Sequence, residues 1–320
     1  MDSRVQSVAF SLDPLTDGPI IHVDHDSRLE SNVNGPSLIV VPSWVDHPLG
    51  RYYLYFAHHE GRSIRLAYAN DLAGPWTLHE PGALQLEDSS FPATAPNLAT
   101  LHPQAKRWFE AAIDPLYPHI ASPEVIVEET QREIRMYYHG RLEDGTQMTR
   151  VAVSNDGLHF TPRQEMLGNP YFRVFDHGDH WYALAMPGLV YRSRDGLTDF
   201  VLGPTLFNPD MRHSALLKRG TTLEVFWTQA GDTPERLLVS SIDLSEHWMG
   251  WRDSEPVEVH RAQQAWEGAQ LALEPSRRGA IMHPVNQLRD PAMFLEADDV
   301  YLLYTVAGEQ GIAVGRLHGL

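Results

Sequence analysis

Near its C-terminal end the chain reads Gln287-Leu288-Arg289-Asp290-Pro291-Ala292-Met293-Phe294-Leu295, then Val300-Tyr301-Leu302-Leu303-Tyr304-Thr305-Val306, then Gly311-Ile312-Ala313-Val314-Gly315. A polar dipeptide and a proline lead into three short runs of apolar, aromatic and β-branched residues, and turn residues separate the runs. This pattern is typical of consecutive antiparallel β-strands. The stretch therefore predicts a small all-β unit whose first strand begins at Arg289-Asp290.

Four similar units lie upstream of this stretch. Their first strands begin near Asn34, Ala121, Asn169 and Arg212, and an aromatic-rich second strand follows each of them. Repeated units of three or four strands are the signature of a β-propeller, whose blades surround a central channel. We therefore predict an all-β, single-domain, five-bladed β-propeller. A β-sandwich is the alternative, but it does not require the repeated order of proline, aromatic strand and glycine turn.

The repeats predict where each blade lies. The predicted blades span 34–110, 121–165, 169–207, 212–258 and 287–317, within a single domain of residues 1–320. Segment 5–12 has the pattern of a strand and would supply the outer strand of the last blade, which closes the ring. Helical patterning is limited to 103–112 and 263–273, in the two longest insertions between blades.

The bulk composition narrows the classes of function. The chain has 320 residues, a formal net charge of −17 and no cysteine. This charge argues against a nucleic-acid partner, which needs a basic surface, and neither disulfides nor thiolate chemistry is available. The N-terminus lacks a signal-peptide pattern and no apolar run approaches a membrane span, so we expect a cytoplasmic protein without a membrane partner. The sequence leaves the oligomeric state open.

In a propeller, the heads of the first strands converge on one pocket near the central channel. The carboxylates at these heads are Glu124 and Asp290. Arginines close to the strand ends either bind an anionic ligand through their guanidinium forks or neutralise the acidic residues of the pocket. The predicted substrate-binding residues are Asn34, Arg141, Asn169, Arg173, Arg212, His213 and Arg289.

The units resemble the five-bladed β-propeller glycoside hydrolases, the superfamily that holds families 43, 32, 62, 117 and 130. The resemblance covers nearly the whole chain at the level of blades. It implies two carboxylates on either side of a glycosidic bond, one acting as acid and the other as base or nucleophile. The residues that carry it are Arg289-Asp290-Pro291, Ser122-Pro123-Glu124-Val125, Arg51-Tyr52-Tyr53-Leu54-Tyr55-Phe56 and Leu66-Ala67-Tyr68-Ala69-Asn70-Asp71-Leu72-Ala73-Gly74-Pro75-Trp76.

The resemblance implies Glu124 and Asp290 as the catalytic carboxylates, without deciding which is the acid. Glu267, on the insertion before the last unit, is a third catalytic candidate, because loops over a rigid scaffold often carry function. Family 43 enzymes usually have an aspartate base in the first blade and a glutamate acid near the third. This chain has Asn34 and Asn169 at those places.

Three hypotheses for the function follow. The first is a glycoside hydrolase-like enzyme that acts on a small saccharide, neutral or anionic. The second is a sugar-binding propeller without turnover, motivated by Asn34 and Asn169. The third is a metal-centred lyase or isomerase, motivated by histidines at strand ends. The histidine spacing is not dense enough to assign metal ligands, and His213 resembles the family 43 histidine that orients a water or a cation.

Overall fold

The computed structural model describes residues 10–319. It contains five antiparallel β-sheets, four with four strands and one with five. The sheets are the blades of a five-bladed β-propeller, which confirms the predicted fold class.

The strands of each blade follow one another in sequence. Two short strands come first, Ser11–Pro14 (β1) and Ile21–His22 (β2). Blade 1 contains Asn34–Val40 (β3), Tyr52–Ala57 (β4), Ser63–Ala69 (β5) and Thr77–Gln85 (β6). Blade 2 contains Ile120–Glu128 (β7), Glu133–Arg141 (β8), Gln147–Ser154 (β9) and Thr161–Pro162 (β10). Blade 3 contains Arg173–His177 (β11), His180–Ala185 (β12), Leu189–Ser193 (β13) and Val201–Thr205 (β14). Blade 4 contains Met211–Arg219 (β15), Thr222–Gln229 (β16), Leu237–Asp243 (β17) and Val257–His260 (β18). Blade 5 contains Arg289–Glu296 (β19), Asp299–Val306 (β20) and Gly311–His318 (β21).

The two ends of the described chain meet in blade 5. Strand β1 pairs antiparallel with β21, from Ser11 opposite His318 to Pro14 opposite Gly315, and β2 pairs with β21 as well. The chain therefore closes the ring with strands from both ends. The predicted closing segment 5–12 overlaps β1 at residues 11 and 12, and its residues 5–9 lie outside the described residues.

Helical structure is confined to the connections. The one α-helix of residues 10–319, Pro103–Glu110 (α1), follows blade 1 and has a proline in its first turn, where the missing N–H costs nothing. The side chain of His102 caps this helix by accepting from the Gln104 N–H. The 3-10 turns are Val23–His25, Ser27–Leu29, Leu86–Asp88, Leu98–Thr100, Trp248–Gly250 and Ala265–Glu267.

Each blade is packed on both faces, so the apolar cores lie between blades. In β4, Tyr52, Leu54 and Phe56 pack against blade 5, and Tyr53 and Tyr55 pack against blade 2. Side chains alternate between the two faces of a strand, so a strand buried on both sides needs a continuous apolar run. This explains why the second strands are rich in aromatic residues.

Tyrosine hydroxyls also join neighbouring blades through two glycine turns. Tyr55 of blade 1 donates to the Gly157 carbonyl at 2.8 Å, and Tyr137 of blade 2 donates to the Gly196 carbonyl at 2.7 Å. Both glycines have a φ of +74°. A Cβ at Gly157 would also lie 2.8 Å from the Tyr55 hydroxyl. Glycine is therefore required there by both backbone conformation and space.

Candidate active site at the strand-head end

The first strands of four blades share one irregularity at their heads. In each of them two residues lie opposite a single residue of the second strand, as in a β-bulge; the pairs are Gly35-Pro36, Ser122-Pro123, Arg212-His213 and Asp290-Pro291. Proline fits at a bulge because it has no ladder hydrogen bond to donate there. Ser122 and Asp290 have φ values of +49° and +48°, a backbone conformation that residues other than glycine rarely adopt. A bulge re-aims the side chains beside it, so strand spacing alone does not predict their directions.

A cavity of about 960 Å³ opens at the same end of the propeller. Blades 1 to 3 contribute His59 and Glu60 after β4, Arg141 at the end of β8, and the segment 169–171 before β11. Further parts of the wall come from the connection containing α1, from residues 145–148 in the turn after β8 and the start of β9, from Met186, Pro187 and Pro209, and from residues 278–280 and Met282 of the insertion between blades 4 and 5. This volume lies within the range of small-molecule sites. We call it the strand-head cavity.

The strand-head cavity contains two carboxylates in different environments. Both carboxylate oxygens of Asp114 accept from Nη2 of Arg141, at 2.7 and 2.9 Å. Glu60 is half-buried, and its carboxylate has no hydrogen-bond partner within residues 10–319. Burial raises the pKa of Glu60, the nearby His59 lowers it, and the charge of Asp114 raises it further. Two carboxyl groups in different environments are the usual arrangement of an acid and a base in one site.

A column of rings lies beneath this cavity. Tyr171, which lines the cavity, has its ring centroid 4.6 Å from that of His213 and 4.4 Å from that of His139. The Nδ1 of His213 pairs with Oδ1 of Asp290, and both side chains are buried. Burial favours the neutral form of Asp290, but His213 opposes this and the pKa of Asp290 is lowered. Burial also lowers the pKa of His213, while the adjacent Asp290 opposes this shift.

Four charged residues form a buried network beside this column. Glu235 lies between Arg212 and Arg289, with an N–O distance of 3.0 Å to each. Arg289 also pairs with Glu309 at 2.9 Å, and Glu309 lies 3.3 Å from Nδ1 of His59. Burial would raise the pKa of Glu309, but His59 and Arg289 hold it well below its usual range. The network therefore joins the turns of blades 4 and 5 to the cavity wall in blade 1.

Glu124 forms an ion pair between two blades. Its Oε2 lies 3.1 Å from Nη1 of Arg173, which also donates to the carbonyls of Ser214 and Pro123. Burial raises the pKa of Glu124 and the charge of Arg173 opposes that shift. Arg173 thus fastens the head of blade 3 to blades 2 and 4.

Glu267 lies in a separate, fully buried network. Its Oε1 contacts His260 Nε2 at 2.7 Å and accepts from the Tyr304 hydroxyl at 2.8 Å. Its Oε2 accepts from the backbone N–H groups of Gln263 and Gln264. The carboxylate therefore holds the insertion before β19 onto blades 4 and 5, and it does not line the strand-head cavity.

Two of the predicted site residues, Arg141 and Asn169, line the strand-head cavity. Asn169 accepts from the Tyr191 hydroxyl at 2.9 Å. The buried Asn34 directs its amide nitrogen toward Glu309 at 3.4 Å. The predicted residues outside the cavity lining are Glu124, Asp290, Glu267, Asn34, Arg173, Arg212, His213 and Arg289. The structure thus brings the strand heads together, but ion pairs and bulges keep most of their polar groups beneath the cavity.

The carboxylate and arginine residues of the cavity that the sequence analysis missed are Glu60, Asp114 and Arg278. They lie in a turn after a second strand and in the two long insertions, not at strand heads. The sequence held one signal, for Glu60 alone. The turn after the second strand of a blade lies at the same end of the propeller as the head of the first strand, so a residue in that turn can face the same cavity. Repeat spacing does not give the path of an insertion.

Within the described range 10–319, no three His, Asp or Glu side chains are arranged to hold a metal ion. The Nδ1 of His139 is buried and has no partner there. Burial lowers the pKa of His119, which lines the cavity, to about 4.

A bilayer-spanning helix is absent from residues 10–319.

Comparison with known sequences gives a viral relative. No family model matches the chain. The chain is 32% identical over 337 residues to "Uncharacterized protein R118" of Acanthamoeba polyphaga mimivirus, which covers 97% of this chain and 90% of the viral protein.

Comparison with solved structures gives family-43 glycoside hydrolases. A thermostable family-43 enzyme has a TM-score of 0.54 and 14% identity, over 89% of this chain and 88% of its own. A β-xylosidase/α-arabinofuranosidase from a compost metagenome, in complex with xylotriose, has a TM-score of 0.55 and 10% identity, over 96% and 94%. A Xanthomonas citri family-43 enzyme, also with xylotriose, has a TM-score of 0.54 and 10% identity, over 94% and 88%. At these identities the likeness establishes the fold.

Proposed function

The chain belongs to the same family as the mimivirus protein R118, and we propose that it is a glycoside hydrolase-like enzyme that acts on a small saccharide in the strand-head cavity. The observation that carries the proposal is that this cavity holds two carboxyl groups with different partners, Glu60 and Asp114. The fold is shared with enzymes solved in complex with xylotriose.

Glu60 is our candidate for the proton donor. Hydrolysis of a glycosidic bond requires protonation of the leaving oxygen while water or a carboxylate attacks the other face of the sugar. A group with a raised pKa holds its proton to a higher pH, and burial raises the pKa of Glu60. The Glu60 carboxyl has no partner within residues 10–319 that would restrain it from reaching a ligand.

Asp114 is our candidate for the second carboxylate. Its ion pair with Arg141 holds the carboxylate at the cavity wall, where it would act as the base or nucleophile. The aromatic residues Trp108, Tyr117 and Tyr171 line the same cavity and offer apolar faces for a sugar ring. In this proposal Glu124 and Asp290 are positioning residues, which hold Arg173 and His213 and so the blades around the cavity.

A sugar-binding propeller without turnover is the second candidate. The observation that favours it is the set of residues at the bulges, where Gly35 and Ser122 supply no carboxylate and Asp290 is paired with His213. Such a protein would keep the cavity and its aromatic walls but would release no product.

Turnover and binding distinguish the two candidates. The protein is incubated with a panel of neutral and acidic oligosaccharides and aryl glycosides, new reducing ends are measured, and binding to the same panel is followed by calorimetry. We expect product from at least one member of the panel. Binding without product under any condition would favour the second candidate, and neither binding nor product would refute both.

A further inference from the structure

Arg278 differs from the other arginines near the strand-head cavity in having no acidic partner. The four predicted arginines each pair with a carboxylate, in the pairs Arg141–Asp114 (2.7 Å), Arg173–Glu124 (3.1 Å), Arg212–Glu235 (3.0 Å) and Arg289–Glu309 (2.9 Å). Arg278 lines the cavity and has no carboxylate within 4.0 Å among residues 10–319. It is therefore the cavity arginine that forms no ion pair within the described part of the protein.

Most of the Arg278 guanidinium remains available to a ligand. Nη1 contacts the sulfur of Met186 at 3.7 Å, and Nη2 donates to the carbonyl of Pro209. A guanidinium has five N–H donors and does not lose its proton, so three donors have no partner within residues 10–319. Burial and the charge of Arg212 lower the pKa of Arg278, while Asp210 opposes them. The cation is thus partly desolvated.

The charge of the cavity lining also favours an anion. The lining contains two cations, Arg141 and Arg278, and two carboxyl groups, Glu60 and Asp114. With Glu60 protonated, as the proposed reaction requires, two positive charges and one negative charge leave a net charge of +1. Since Arg141 is paired with Asp114, this excess lies at Arg278.

We infer that Arg278 binds the anionic group of an acidic saccharide, a carboxylate as in a uronate or a sulfate ester. This inference rests on the proposed function and assigns its substrate class. A guanidinium fork matches two oxygens of either group, and such charge-assisted hydrogen bonds are stronger than neutral ones. Desolvation in the cavity would strengthen the interaction further.

The inference is tested by calorimetry with glucose, galactose, glucuronate, galacturonate and the two 6-sulfated sugars. The wild-type protein should bind at least one acidic sugar about tenfold or more tightly than its neutral counterpart. Arg278→Gln should abolish this preference without weakening the neutral sugars. Arg278→Lys should keep only part of the preference, because it retains the charge and loses the fork. A larger gain in affinity for the uronates would identify a carboxylate as the group that Arg278 binds. A larger gain for the 6-sulfated sugars would identify a sulfate ester.

Arg277→Gln is the matched control. Arg277 is exposed, lies outside the cavity lining and has no ion pair within residues 10–319. The Arg277→Gln variant loses the same charge one residue away from Arg278, so its preference for acidic sugars should survive.

Equal binding of acidic and neutral sugars by the wild type would overturn the inference and leave the proposed function standing. Loss of the preference in Arg277→Gln would also overturn it, and so would the absence of binding by all six sugars, whereas the proposed function would be refuted only by the panel of oligosaccharides and aryl glycosides. Thermal unfolding shows whether each variant is folded, and Arg278→Lys provides the test if Arg278→Gln is not.

Discussion

Glu60→Gln should lower saccharide turnover by about 100- to 10,000-fold, the usual contribution of a general acid. The amide has nearly the same shape as the carboxyl group but cannot donate a proton to the leaving oxygen. Glu60 is half-buried and its side chain forms no hydrogen bond within residues 10–319, so stability and saccharide affinity should change little. The rate constant of product formation and the binding constant of the same saccharide are the two quantities to compare.

The pH dependence of the wild-type rate is a second readout of Glu60. Burial raises the pKa of Glu60, and only its protonated form is active as an acid. The rate should therefore fall as pH rises through this raised pKa, and Glu60→Gln should lose that limb of the profile. Glu129→Gln, at an exposed glutamate, is the control that should leave the rate unchanged. Wild-type turnover by Glu60→Gln would rule out Glu60 as the proton donor.

Glu235→Gln should destabilise the protein by about 3–5 kcal/mol, the cost of removing one partner from a buried ion pair. Glu235 is completely buried and lies 3.0 Å from both Arg212 and Arg289. A neutral side chain there would leave the buried Arg212 without a carboxylate partner among the described residues. Arg289 would retain its ion pair with Glu309 but lose its ion pair with Glu235.

Urea unfolding measures this loss. The midpoint of Glu235→Gln should fall while the dependence of the unfolding free energy on urea stays the same, since the native fold is retained. The exposed Glu129→Gln variant should stay within about 0.5 kcal/mol of the wild type. A loss below about 1 kcal/mol in Glu235→Gln would contradict the view that this network holds blades 4 and 5 together.

The propeller could be predicted because the packing of its blades leaves a direct trace in the sequence. A strand between two blades is buried on both faces, so Tyr52 to Ala57 is apolar or aromatic at every position. The prolines that the pattern also showed, such as Pro123 and Pro291, proved to lie at bulges. Apart from bulges, a proline in a sheet is tolerated mainly in edge strands and at the first residue of a strand.

The cavity could be predicted only in part, because two of its determinants are not periodic. The bulge at Asp290 turns the strand head, and this carboxylate pairs with His213 outside the cavity lining. Asp114 and Arg278 enter the cavity on insertions, whose paths are set by tertiary packing. Asn169 and Arg141 are cavity residues that strand ends were sufficient to identify.

A crystal structure of Glu60→Gln with an uncleaved acidic oligosaccharide would test the central proposal most directly. We predict that the sugar lies in the strand-head cavity with its glycosidic oxygen within about 2.6–3.2 Å of the side-chain amide that replaces the Glu60 carboxyl group. Its anionic group should face Arg278. A saccharide bound outside this cavity, or bound inside it with the glycosidic oxygen turned away from that amide, would contradict the proposal.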